Sequence, residues 1–164
     1  MFEDDLIAAA AKLIAECKAR GKMIATAESC TGGLLAGLLT QVPGSSSVFE
    51  RGFVTYSNAA KSELLGVDER LIADHGAVSA EVARAMALGA LARSRAQLSL
   101  AVTGIAGPGG GSDFKPVGLV YLACATVSRV EVREERYGDL GRDDVRAAAL
   151  RTALEMLARG AALT

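Results

Sequence analysis

The 164-residue chain contains a single histidine and three cysteines, Cys17, Cys30 and Cys124. The cysteines are odd in number, widely spaced and without a C-x-x-C pair, which speaks against a disulfide framework and against zinc. That usage fits a reducing cytoplasm, and neither a metal nor a cofactor is expected. Long apolar runs are also missing. Leu34 to Leu39 and Val117 to Val127 fall well short of the roughly 20 residues that a membrane-spanning helix needs. The opening Met-Phe-Glu-Asp-Asp is acidic where a signal peptide is basic. Nor is there an excess of charge of one sign: the net charge is -1, with basic and acidic residues interspersed. This leaves no electrostatic footprint for nucleic acid or an anionic membrane and favours a small-molecule ligand.

What is present is the composition of an ordinary globular protein, 51% apolar and 23% charged. A chain of this length suits one domain, residues 1–164, able to bury about 70% of its unfolded surface. Leu6, Ala9, Ala10, Leu13, Ile14 and Cys17 recur at helical spacing, with Gly21 as the stop. Next come a strand from Lys22 to Ala27, the turn Ser29-Cys30-Thr31-Gly32-Gly33, and an apolar helix from Leu34 to about Gln41. Phe49 to Tyr56 reads as a strand. Ser57 or Asn58 caps a helix from Ala59 to Leu65, a short helical piece covers Asp68 to Ala73, and Ser79 caps a long helix through Arg93. Leu98 to Thr103 and Gly118 to Thr126 are buried strands separated by a glycine-rich loop. Arg129 to Tyr137 alternates like an edge strand, and a helix closes the chain from Arg142 to about Arg159. This order predicts an α/β fold, a three-layer α/β/α sandwich around a mixed, mostly parallel sheet.

Ser29 lies between a strand and a helix, where α/β folds place their ligands. The first-turn amides of Thr31, Gly32 and Gly33 suit an oxyanion or a phosphate. A plain N-cap and turn is the ordinary account of the same pattern, and the G-x-S-x-G elbow is absent because Ala27 stands where its first glycine belongs. Lys61 falls in the first turn of its helix. There the helix dipole and desolvation lower a lysine's pKa and fit it to take a serine proton; an exposed lysine is the everyday alternative. Tyr56 ends the preceding strand and could hydrogen-bond between the two. Glu50 and Arg51 by themselves read as a surface ion pair. The loop from Gly104 to Lys115 is not a Walker motif, yet at a strand end it can offer Thr103 and backbone amides to a nucleotide; a mobile lid without chemistry is the alternative. His75 reads as structural, and Cys30 as a small residue packed under the turn.

Taken together, four blocks resemble the C-terminal domain family of the competence/damage-inducible protein CinA. They are Thr26-Ala-Glu-Ser29-Cys-Thr-Gly-Gly33; Phe49-Glu-Arg-Gly-Phe-Val-Thr-Tyr-Ser-Asn58 with Lys61; Gly76-Ala-Val-Ser79; and Thr103-Gly-Ile-Ala-Gly-Pro108 with Lys115-Pro-Val-Gly118. The resemblance covers nearly the whole chain. The chain is similar to the single-domain members, the nicotinamide mononucleotide deamidases, since no counterpart of the N-terminal domain of full-length CinA is seen. It implies hydrolysis of the carboxamide of nicotinamide mononucleotide, with Ser29 as nucleophile, Lys61 as its base and Tyr56 orienting the pair. It further implies that Glu50, Thr103 and Arg142 contact substrate; from their own positions the amides of Thr31, Gly32, Gly33 and Gly104 are expected beside them. Arg142 is the arginine opening the last helix and Arg146 its fallback, because the family's Gly-Asp-Arg reads Leu140-Gly141-Arg142 here. A homo-oligomer is expected, and no metal, so that a chelator leaves activity unchanged. Two other readings remain open: a non-catalytic nucleotide-binding module, and an amidase acting on another small amide.

Overall fold

The computed structural model describes residues 1–163. Six helices and five strands follow one another as α1 (Asp4–Ala19), β1 (Ile24–Glu28), α2 (Leu34–Thr40), β2 (Phe49–Val54), α3 (Asn58–Leu65), α4 (Glu69–His75), α5 (Ala80–Ala92), β3 (Leu98–Gly104), β4 (Leu119–Thr126), β5 (Val130–Arg136) and α6 (Arg142–Ala162). A 3-10 turn, Ser45–Ser47, precedes β2. Every element read from the sequence is present, with ends shifted by a few residues.

The sheet order is β2-β1-β3-β4-β5. β1 pairs in parallel with both β2 and β3, whereas β3 with β4 and β4 with β5 pair antiparallel. Four strands therefore point one way and β4 alone runs back, which makes the sheet mixed. β1 is buried along its whole length, as a strand with neighbours on both edges and helices on both faces must be. β5 is an edge, half-buried and studded with charge, which discourages pairing with another chain.

Strand alternation sorts the core into two layers. Leu98, Leu100 and Val102 of β3, with Val120, Leu122 and Cys124 of β4, meet α1, α2 and α6 on one face. Ala101, Ala123 and Ala125 face the other way, against Val82, Met86 and Ala90 of α5. Alanines on that face let α5 lie close to the sheet, close enough for Ser99 Oγ to donate to the Ala87 carbonyl at 2.7 Å. The β1-to-β2 connection passes through α2 on the first face. The β2-to-β3 connection passes through α3, α4 and α5 on the second. The connections leaving the neighbouring C-terminal ends of β1 and β2 thus go to opposite faces of the sheet, and the crevice between those ends is a topological switch point, the usual ligand site of open α/β sheets.

Among the described residues, no helix is long and apolar enough to cross a membrane.

Candidate active site

Ser29 is the first residue beyond β1, and its amide still pairs with the Val102 carbonyl of β3 at 3.0 Å. From there the backbone turns through Gly32 (φ 58°) and Gly33 (φ 99°) into α2, a left-handed stretch that glycine adopts without strain. The serine side chain sits at the floor of a cleft of about 270 Å³, lined also by Lys61, Tyr56, Asn58, Thr103, Arg142 and the glycine-rich loop.

Lys61 enters from α3. Ser57 caps that helix by accepting from the Ala60 amide at 3.0 Å, so the helix starts at Asn58 and Lys61 is its fourth residue. The lysine is only 1% exposed. Its Nζ donates to Ser29 Oγ at 3.0 Å and to the Thr55 carbonyl at 2.9 Å. No carboxylate pairs with it among the described residues. Burial, the leading cause, pulls its pKa below the ordinary lysine value, and the neighbouring Cys30 opposes this only in part. An amine so placed can lose its proton. The contact then reverses, with the Ser29 hydroxyl donating to nitrogen while an N–H stays on the Thr55 carbonyl.

Tyr56 stands at the rim rather than between Ser29 and Lys61. It is 63% exposed, and its hydroxyl accepts from Arg142 at 3.1 Å. The same guanidinium donates to the Gly107 carbonyl at 2.8 Å, so Arg142 joins the end of β2 to the glycine-rich loop and faces the cleft. Thr103 and Gly104 line the cleft as well, and Thr103 Oγ1 donates to the Ala77 carbonyl at 2.9 Å, holding the opposite wall.

Three expected positions, Glu50 and the amides of Gly32 and Gly33, lie elsewhere. Glu50 is at the N-terminal end of β2, at the register shift between Phe49, which pairs with Ile24, and Arg51, which pairs with Ala25, whereas Val54 is the residue beside Glu28. Parallel pairing puts it at the sheet edge opposite the cleft, where its carboxylate binds Arg51 at 2.6 Å and lies 3.9 Å from Arg95. The ion pair read from the residues alone is what forms. Two of the three turn amides also need correcting. Gly32 N–H donates to the Ser29 carbonyl at 2.9 Å and Gly33 N–H to Glu28 Oε2 at 3.1 Å, so both point into the protein. Thr31 is fully buried, and its carbonyl accepts from Arg146 Nη2 at 3.2 Å. Arg146 therefore lies behind the turn and Arg142 in front of it. The Cys30 thiol, pushed up to about 12 by burial, stays protonated and is no nucleophile. His75 ends α4; its Nδ1 lies 3.6 Å from Glu81, and its carbonyl accepts from Lys115.

Glu28 went unremarked in the sequence. Completely buried, its carboxylate accepts from the amides of Gly33, Leu35 and Ala36 at 3.1, 2.9 and 2.8 Å. A carboxylate closing a strand just ahead of a glycine turn and a helix start is the available signal for such a cap. Asn58, at the first position of α3, was considered only as a cap and lines the cleft instead.

Fold and cleft together define an α/β protein whose switch-point crevice holds a serine against a buried, unpaired lysine, with an arginine and a glycine loop on the rim. The chain belongs to the CinA C-terminal domain family, whose model matches residues 7–160. It is 46% identical over 157 residues to the nicotinamide-nucleotide amidohydrolase PncC of Escherichia coli K12, covering 96% of this chain and 95% of that protein. It is 59% identical over 114 residues to a putative competence-damage inducible protein of Caldicellulosiruptor bescii, but the match spans only 28% of that longer relative. The crystal structure of the competence/damage inducible protein CihA from Agrobacterium tumefaciens superposes with a TM-score of 0.96 at 53% identity, over 98% of both chains.

Proposed function

We propose that this protein hydrolyses the carboxamide of nicotinamide mononucleotide to nicotinic acid mononucleotide and ammonia, through Ser29 and Lys61. The observation that carries the mechanism is the buried Lys61 Nζ, 3.0 Å from Ser29 Oγ at the cleft floor. The substrate comes from likeness to the Escherichia coli amidohydrolase, which this chain matches over 95% of that protein's length.

Neutral Lys61 takes the Ser29 proton as Oγ attacks the amide carbon. Because the Gly32 and Gly33 amides are occupied, the tetrahedral oxygen falls to the amides nearer the nucleophile, Cys30 and Thr31. Lys61 then returns its proton to nitrogen as the C–N bond breaks and ammonia leaves. Water, deprotonated by the same amine, attacks the acyl-serine, and Ser29 recovers its proton as the acid departs. Arg142 and the loop amides receive the phosphate, for which a planar guanidinium is better matched than an ammonium.

The rival reading, a module that only binds nucleotide, needs the amides of α2 for the phosphate. Glu28 fills that helix start with its own carboxylate, and a second anion there meets repulsion instead of open donors. The test is ammonia and acid released from nicotinamide mononucleotide by wild type, Ser29→Ala, Lys61→Ala and Lys61→Arg, with nicotinamide as a parallel substrate. Wild type is expected to turn over the nucleotide, and each variant to lose about 10³-fold or more in kcat. Lys61→Arg keeps the charge but cannot act as a base. Full activity in that variant would remove Lys61 from the chemistry; equal turnover of nicotinamide would point to a general small-amide amidase.

A further inference from the structure

The position of Ser29 Oγ depends on a turn with little to hold it. Gly32 and Gly33 have no side chains to pack, and α2 beyond them is only seven residues long. Two charged side chains that take no part in the proposed chemistry grip this turn from opposite sides. Glu28, inside the sheet edge, draws in the amides of Gly33, Leu35 and Ala36. Arg146, one turn into α6, reaches across to the Thr31 carbonyl. Gly32 is held at φ 58°, and a β-carbon there would stand 3.4 Å from Arg146 Nη2, in ordinary contact, so the guanidinium lies directly against the turn. Arg146 Nε is buried and finds no acceptor. A surface arginine has no reason to accept that desolvation, and the pairing it does make is with the backbone that carries the nucleophile.

We propose that Glu28 and Arg146 form a two-sided clamp that positions Ser29, Glu28 through the turn's amides and Arg146 through its Thr31 carbonyl. Both are positioning residues. The inference rests on Ser29 being the nucleophile, though not on which amide is the substrate. The clamp sets the distance between Oγ and the reacting carbon, and misplacement on the scale of 1 Å costs about 10²-fold in rate. Glu28→Gln is nearly isosteric but turns an N–H donor toward the backbone amides. Arg146→Met keeps the stem and drops the donor, and Arg146→Lys restores one donor on a shorter reach.

The experiment measures kcat and KM for nicotinamide mononucleotide, the pH midpoint of kcat/KM, and the rate at which an alkyl fluorophosphonate labels Ser29. In that labelling Oγ displaces fluoride from phosphorus and the hydroxyl proton passes to Lys61. Expected are a loss of about 10²-fold in kcat and labelling for Glu28→Gln and about 10-fold for Arg146→Met, with Arg146→Lys recovering part of it. KM should stay within about threefold and the pH midpoint should not move, since Lys61 keeps its burial. Loss of melting temperature with unchanged kcat per folded molecule would mean the two residues serve stability alone and would overturn the clamp. If Glu28→Gln does not fold, Arg146→Met decides by itself: wild-type kcat and labelling there overturn it. Labelling of wild type at Ser29 without turnover of the nucleotide would fail the substrate reading while leaving the clamp measurable by labelling.

Discussion

Lys61 is where a single residue carries most of the physical argument. An ammonium buried to 1% exposure beside a hydroxyl and a carbonyl loses hydration that neither partner replaces, and its charged form is disfavoured. The first expectation follows: kcat/KM for nicotinamide mononucleotide should rise with pH through a limb whose midpoint lies below 10.5, the ordinary value. Stability gives an independent check. The unfolded lysine binds its proton more tightly than the folded one, so between the lowered folded value and the unfolded one the unfolded state holds more protons, and stability grows as pH rises. The melting temperature of wild type minus that of Lys61→Met should therefore climb with pH through this window. A flat difference would show that burial leaves Lys61 unperturbed. The sequence placed Lys61 in the first turn of α3, which was enough to suspect it. It could not show the burial, because that depends on tertiary packing against the Ser29 turn, 32 residues away along the chain.

The pairing of elements that brings Lys61 to Ser29 depends on how closely α5 approaches α3. Gly89, inside α5, is a poor helix residue by propensity, and nothing in the periodicity explains it. In the structure a β-carbon there would lie 2.1 Å from the Leu65 carbonyl oxygen and 3.0 Å from its carbon, backbone that cannot rotate away. Leu65 is one turn beyond Lys61 on α3. Gly89→Ala should therefore push α3 outward and cost about 1–3 kcal/mol. For a chain of this size that is about 2–4 °C in melting temperature per kcal/mol. It should lower kcat as well, because Lys61 moves with its helix; unchanged stability in thermal unfolding would show that the two helices adapt freely. At this scale most of the fold was legible. Apolar spacing marked α1, α5 and α6, an apolar run marked α2, a cap and a glycine stop marked α3, α4 was read as a short helical piece, and short apolar or alternating runs marked all five strands. What periodicity cannot carry is direction and order. Glu50 was expected at the site from the family resemblance, yet parallel pairing puts the two ends of β2 at opposite edges of the sheet. The glycine amides were expected in the cleft because a helix start normally leaves them open, and Glu28, five residues back, had already taken one of them.

In the molecule as a whole, the reversal of β4 decides where the substrate's two ends lie. β3 ends at the same edge as β1, and β4 starts there and runs antiparallel to it. The connection must turn back at that edge, and its glycines hang over the crevice that the crossovers leaving β1 and β2 open. Arg142, opening the 21-residue α6, joins that loop to Tyr56 across the mouth. The proposed reaction thus has its acyl centre at the floor on Ser29 and its anion at the rim on Arg142, with α2 closed to anions by Glu28. This polarity separates binding from chemistry. Arg142→Met should raise KM for nicotinamide mononucleotide by about 10–100-fold, the worth of a charge-assisted hydrogen bond to phosphate. It should leave kcat at saturation within about threefold, and fluorophosphonate labelling of Ser29 at the wild-type rate. A fall in labelling equal to the fall in kcat/KM would mean that Arg142 supports the nucleophile instead, and that the phosphate end of the substrate has to be sought elsewhere along the glycine loop.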